Sequence, residues 1–184
     1  MAEAAPRPRL QWWPALLGAA LAAFIAYDLA DGRGLANVLA AAGFVYLGAA
    51  ALEKRTLAWP LFIFTFIVIG IVQAGFGAYN PTWLFVALAA IAFVWGAIRG
   101  AWRQPEGLPL QTAIMIAIAI LAAVSFTIDP AIGAYLVAAG LLGHAVLDVW
   151  LFVTGKVVVR SMTEFCFVLD TLLAIAIVII TLRA

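Results

Sequence analysis

The sequence predicts an all-α, polytopic membrane protein with seven transmembrane helices, and three observations support this. Of its 184 residues, 67% are hydrophobic and 10% charged, against roughly 45–50% and 25% in ordinary soluble chains. The apolar residues gather into seven runs, each near the roughly 20 residues that cross about 30 Å of hydrocarbon. Threading those runs back and forth puts nearly all Lys and Arg on one side. A β-barrel would instead need segments of about ten residues alternating in polarity, and these runs do not alternate.

The first run, 12–28, follows Arg7 and Arg9 and has the outline of a signal peptide. It is expected to be a retained helix behind a cytoplasmic tail, 1–11, because further membrane segments follow and AYDLAD is a poor cleavage site. Asp31-Gly-Arg-Gly34 separates it from the second run, 35–52, and Lys54 and Arg55 lead into the third, 57–77, with Pro60 in its first turn. Asn80-Pro81 opens 82–98, Pro105 and Pro109 open 109–127, and Asp129-Pro130 opens 131–153. A basic turn with Lys156 and Arg160 leads to the last run, 162–182. Proline is well tolerated in a first helical turn, so these prolines mark starts rather than kinks. Residues 1–184 are read as one transmembrane domain.

With seven spans, Arg7, Arg9, Lys54, Arg55, Arg99, Arg103, Lys156 and Arg160 share one side, leaving Arg33 and Arg183 on the other. Cytoplasmic loops carry the excess of basic residues. The expected location is therefore the cell (inner) membrane, with the N-terminus cytoplasmic and the C-terminus outside. Merging two runs into six spans would scramble the bias. The net charge of +1 gives no basic face for nucleic acid, and one cysteine excludes an internal disulfide or a multi-cysteine zinc site. No phosphate-binding Gly loop, HExxH, paired CxxC or GxSxG motif occurs, and the last run has no lysine for a retinal Schiff base.

Residues 28–44, where Asp31 precedes AAAGF, are similar to 126–140, where Asp129-Pro130 precedes VAAG. Each copy leads to a basic turn and a Phe-containing helix, so helices 1–3 would match helices 5–7 as parallel repeats joined by helix 4. In layout this resembles the SWEET sugar transporters, which join two three-helix units through a linker helix. The resemblance covers architecture alone: the Pro-Gln signature of that wider group is absent, so no substrate or site residue carries over. The segment from His144 to Asp170 also resembles parts of uncharacterised bacterial polytopic membrane proteins, which implies no activity.

That segment, GLLGHAVLDVWLFVTGKVVVRSMTEFCFVLD, places ionisable groups within otherwise apolar sequence. Charges at membrane depth are costly and face a bundle interior, a partner or a pathway. His144, the single histidine, and Asp148 are spaced i, i+4 and share a helix face, which Gly133, Val137 and Gly140 continue. Thr163, Cys166 and Asp170 form a polar stripe on the last helix. The short turn makes helices 6 and 7 neighbours, so His144, Asp148 and Asp170 are expected to cluster roughly 7 to 14 Å inside the cytoplasmic boundary. Glu164 lies nearer the surface, within reach of Arg160 or Lys156.

The expected activity is transport of a small solute or ion, proton-linked, along a pathway of His144, Asp148, Asp170, Glu164 and Cys166, with His144 titrating near neutrality. One alternative is a membrane-embedded enzyme acting on a lipid or apolar substrate. A divalent metal on His144, Asp148 and Asp170 would assist it, although catalytic zinc usually takes more than one histidine. Another is a non-catalytic subunit or scaffold in which the same residues fix helix packing. Cys166 with His144 would make a nucleophile only in close alignment. No cofactor is otherwise expected, and the partners are membrane lipid and further copies or a larger membrane complex. Asp28, Asp31 and Asp129 read as helix-end caps, and the seven tryptophans as interfacial belts. Gln73 reads as an exit-path or interhelical group, and Gly96 and Gly100 as a packing motif.

Overall fold

In a computed structural model that describes residues 10–76 and 79–183, the chain forms seven α-helices and no strand among the described residues. They are α1 (Trp12–Tyr27), α2 (Ala36–Ala51), α3 (Ala58–Phe76), α4 (Thr82–Ile98), α5 (Leu108–Thr127), α6 (Pro130–Thr154) and α7 (Arg160–Thr181). Single 3-10 turns precede α2 and α3, and a third lies within the α4–α5 connection. Arg7, Arg9 and Gly77, the expected end of the third run, lie outside the described residues. By length and composition α2 and α3, each counted with the 3-10 turn before it, and α5, α6 and α7 can cross a membrane, whereas α1 and α4 are shorter apolar helices of 16 and 17 residues.

Local signals set the helix ends. Asp129 accepts from the N–H groups of Ala131 and Ile132 at 3.0 and 3.2 Å, filling two of the free donors in the first turn of α6. Pro130, the first residue of α6, has no N–H to leave free. Gly155 closes the same helix in the left-handed region, φ 65°, with its N–H on Leu151 O. Of the expected Gly96/Gly100 motif, only Gly96 packs: a Cβ there would lie 2.9 Å from Ala51 of α2. Gly100, at φ 78°, instead turns the chain out of α4.

The centre of the bundle is α2, in which 14 of 16 residues are buried. Its sequence, ANVLAAAGFVYLGAAA, is mostly Ala and Gly, and small side chains let α3, α4, α5 and α6 approach its backbone. The most extensive pairing is α6 with α7, and α1 lies against α7 rather than α2. The two expected repeat units therefore pack differently, because α5 lies along α6 while α1 has no comparable contact with α2.

The α2–α3, α4–α5 and α6–α7 connections meet at one end. There Arg55 donates to Gly155 O and Lys156 pairs with Glu106. At the other end Asn80 donates to Gly34 O, 3.1 Å, joining the α3–α4 and α1–α2 connections. Lys54, Arg55, Arg99, Arg103, Lys156 and Arg160 thus share one end, and Arg33 and Arg183 the other. The outward faces are apolar, with Phe66, Ile71, Ile91, Ile98, Ile120, Val146, Val153 and Ile175 exposed. His144, Asp148, Thr163, Glu164 and Asp170 lie inside.

Candidate functional site

The i, i+4 spacing on α6 turns His144 and Asp148 toward α7, where Asp170 faces them. His144 Nδ1 is 2.9 Å from Asp170 Oδ2 and 3.5 Å from Asp148 Oδ2. All three side chains are fully enclosed, at 1% exposure or less. The group lies about 9 to 15 Å along the axis from the basic ends of α6 and α7.

A fourth residue completes it. Tyr46 of α2 donates its hydroxyl to Asp148 Oδ1, and its ring stands edge-on to the His144 imidazole with centroids 4.8 Å apart. A buried phenol needs a polar partner, so one Tyr within an Ala-rich helix was the available signal. With Asp148 102 residues away, nothing in the sequence named the partner.

Among the described residues no Lys or Arg pairs with either acid. Even with the imidazole protonated, two ionised carboxylates leave the cluster one positive charge short. A buried net charge is strongly disfavoured, so the arrangement favours one further cation, a proton or a metal ion. Among the described residues, His144 Nε2, Asp148 Oδ2 and Asp170 Oδ1 have no hydrogen-bond partner.

The cluster could hold a metal, since one ligand atom from each residue lies within 4.8 Å of the others. Two ligands of one tetrahedral ion at about 2.1 Å, however, sit roughly 3.4 Å apart. The 3.5 Å contact fits that spacing, while the 2.9 Å contact has the length of a hydrogen bond.

The other expected site residues are placed differently. Glu164 does not pair with Arg160 or Lys156: its Oε2 accepts from Gln11 N at 2.9 Å, tethering the start of α1. The α6–α7 turn sends Lys156 to Glu106, and Arg160 donates to Phe152 O at 3.0 Å. Cys166 directs its Sγ to Met162 Sδ at 3.7 Å, and no Cys166–His144 hydrogen bond forms among the described residues. Cys166 and Asp170 do share a cavity of about 40 Å³ with Leu21, Val45, Thr65 and Phe66. Gln73 is exposed. At the far end, burial alone would raise the Asp31 carboxyl, but its hydrogen bonds to Arg33 and the guanidinium charge bring it below its ordinary value.

No family model, curated protein or solved structure matches this chain. The reading of function therefore rests on the residues themselves.

Proposed function

We propose that the chain is a multi-pass inner-membrane protein that moves a small solute or ion in exchange for, or together with, a proton carried by the His144–Asp148–Asp170 cluster. The observation that carries this is the enclosed cluster, one cation short of neutrality and with three polar atoms unpartnered. A proton needs no ring movement to enter a site whose shortest contact is already a hydrogen bond. The apolar outer faces support a lipid surround. Basic residues gathered at one end support a cytoplasmic N-terminus and an external C-terminus. Tyr46 holds Asp148 in place, and Glu164 and Cys166 serve packing.

The test is proton exchange by purified protein in proteoliposomes containing a pH-sensitive dye, with small solutes added outside. At least one solute should drive proton movement in the wild type, and Asp148→Asn and Asp170→Asn, shown folded by circular dichroism, should lose it. If no solute moves protons and the lone imidazole and the two carboxyls keep one protonation state from pH 4 to 9, the reading is wrong. Stoichiometric bound metal that is lost in His144→Ala would favour the embedded enzyme instead.

A further inference from the structure

The three connections at the basic end enclose a cavity of about 520 Å³, within the size range of small-molecule sites. Glu53 and Arg55 line it from the α2–α3 connection, Gln104 and Glu106 from α4–α5, and Lys156 and Val157 from α6–α7. Unlike the His144 cluster, this polar wall is accessible, since Glu53, Arg55, Gln104 and Lys156 are all exposed. Lys156 and Glu106 pair with each other. Among the described residues the side chains of Glu53 and Gln104 have no partner, and Arg55 spends one N–H on Gly155 O, which leaves most of its donors open. Glu53 and Arg55 do not pair with each other. The wall therefore holds one unanswered cation and one unanswered anion. Glu53 and Val157 also hold positive φ, 52° and 63°, and backbone cost of this kind gathers at ligand clamps.

We infer that this cavity binds a zwitterion made of a phosphate and a primary ammonium, the chemistry of an ethanolamine phospholipid headgroup, with the phosphate on Arg55 and the ammonium on Glu53. A guanidinium fork matches phosphate oxygens, and the basic surroundings of this end draw the same group. The ammonium has donors for both the Glu53 carboxylate and the Gln104 carbonyl oxygen. A purely anionic headgroup would answer Arg55 and set a like charge beside Glu53. A choline headgroup has no N–H to give and is recognised by aromatic cages, and among the described residues no aromatic side chain lines this cavity. The cavity lies past the last residues of α2 and α6, Ala51 and Thr154, which in lipid is headgroup depth. Ile98 and Val153, at the same ends of α4 and α6, are exposed and give acyl chains an apolar surface. The lipid source rests on the lipid surround proposed above; the zwitterion chemistry does not, and the His144 cluster takes no part in it.

Native mass spectrometry of the full chain in detergent micelles reads the preference, with phosphatidylethanolamine, phosphatidylcholine and phosphatidylglycerol of the same acyl chains competing at equal concentration. The ethanolamine lipid should be retained over the choline lipid by about tenfold, the scale of one hydrogen-bonded charge pair. Glu53→Gln should erase that preference, and Arg55→Gln should weaken retention of all three lipids. Glu53 has no side-chain partner to lose, so its variant decides the matter if Arg55→Gln fails to fold. Adding free phosphoethanolamine separates the sources: displacement of the lipid identifies a soluble zwitterion as a ligand of the same walls, and no displacement identifies the membrane lipid. The proposal is overturned by equal retention of the ethanolamine and choline lipids, by stronger retention of phosphatidylglycerol, or by a preference that survives Glu53→Gln. Proton exchange in proteoliposomes is read separately, so failure here would leave the role of the His144 cluster standing.

Discussion

At the scale of single residues, Tyr46 is the one side chain outside α6 and α7 that bonds the cluster among the described residues. Tyr46→Phe removes the donor to Asp148 Oδ1 and leaves that carboxylate without a hydrogen bond. A bond to a charged acceptor is worth more than an average one, while interhelical bonds in membranes are weaker than their burial suggests. The expected loss is about 1–2 kcal/mol, read as a lower Tm in detergent micelles, and an unchanged Tm would mean that the bond adds nothing to stability. A second variant separates packing from function. Asp170→Leu alone removes the 2.9 Å partner of His144 Nδ1 and leaves the imidazole only its 3.5 Å contact with Asp148, which should cost about 1–3 kcal/mol, whereas replacing His144, Asp148 and Asp170 together by Leu should be neutral or stabilising. A stable but inactive triple variant would show that folding does not need the cluster; a triple variant less stable than Asp170→Leu would make it a structural clamp. The His144–Asp148 spacing and the short α6–α7 turn made this meeting legible from the sequence. The partner of Glu164 was not legible there, because it is a backbone N–H of Gln11, far away in the chain.

At the scale of elements, the α6–α7 connection carries the clearest conformational cost. Val157 has φ 63°, and Val158 N–H bonds to Lys156 O at 2.7 Å, which closes a three-residue turn of the rare positive-φ kind. Such a backbone costs on the order of 1–3 kcal/mol, and a β-branched residue is poorly suited to it. Glu53, at φ 52° in the α2–α3 connection, and Val157 both line the cavity of about 520 Å³ at the basic end. Val157→Gly should therefore raise Tm, by an amount equivalent to about 1 kcal/mol after the added freedom of the unfolded chain. A fall would locate the cost elsewhere. Helix ends were readable because Pro, Gly and Asp act locally. The central place of α2 was not, since small side chains leave little periodic contrast and only the assembled bundle shows which helices close on them. The chain similarity of the first and last three helices likewise said nothing about packing, which places α1 on α7.

At the scale of the whole molecule, apolar side chains fill the interior and also cover the outer faces, and His144, Asp148, Glu164 and Asp170 are buried within them. In water such surfaces would drive association, whereas in lipid they have no cost, and the enclosed cluster becomes the feature that needs an explanation. Under the proposed reading, two ends of unlike charge would set the orientation, since moving Lys and Arg across hydrocarbon is expensive. Cys166 is buried, so a Cys166→Ala background leaves no thiol and allows cysteines to be placed singly. In intact cells a membrane-impermeant maleimide should label Arg33→Cys and Arg183→Cys. It should label Lys54→Cys, Arg103→Cys and Lys156→Cys only after permeabilisation. Labelling of Arg33→Cys and Lys156→Cys from the same side would place both ends of the bundle in one compartment and remove the depth on which the proton route depends. With the expected pattern, the cluster lies closer to the cytoplasmic ends of α6 and α7 than to their outer ends. Proton exchange would then be faster from that side, and the longer passage past α1 and the outer half of α2 would set the rate of transport.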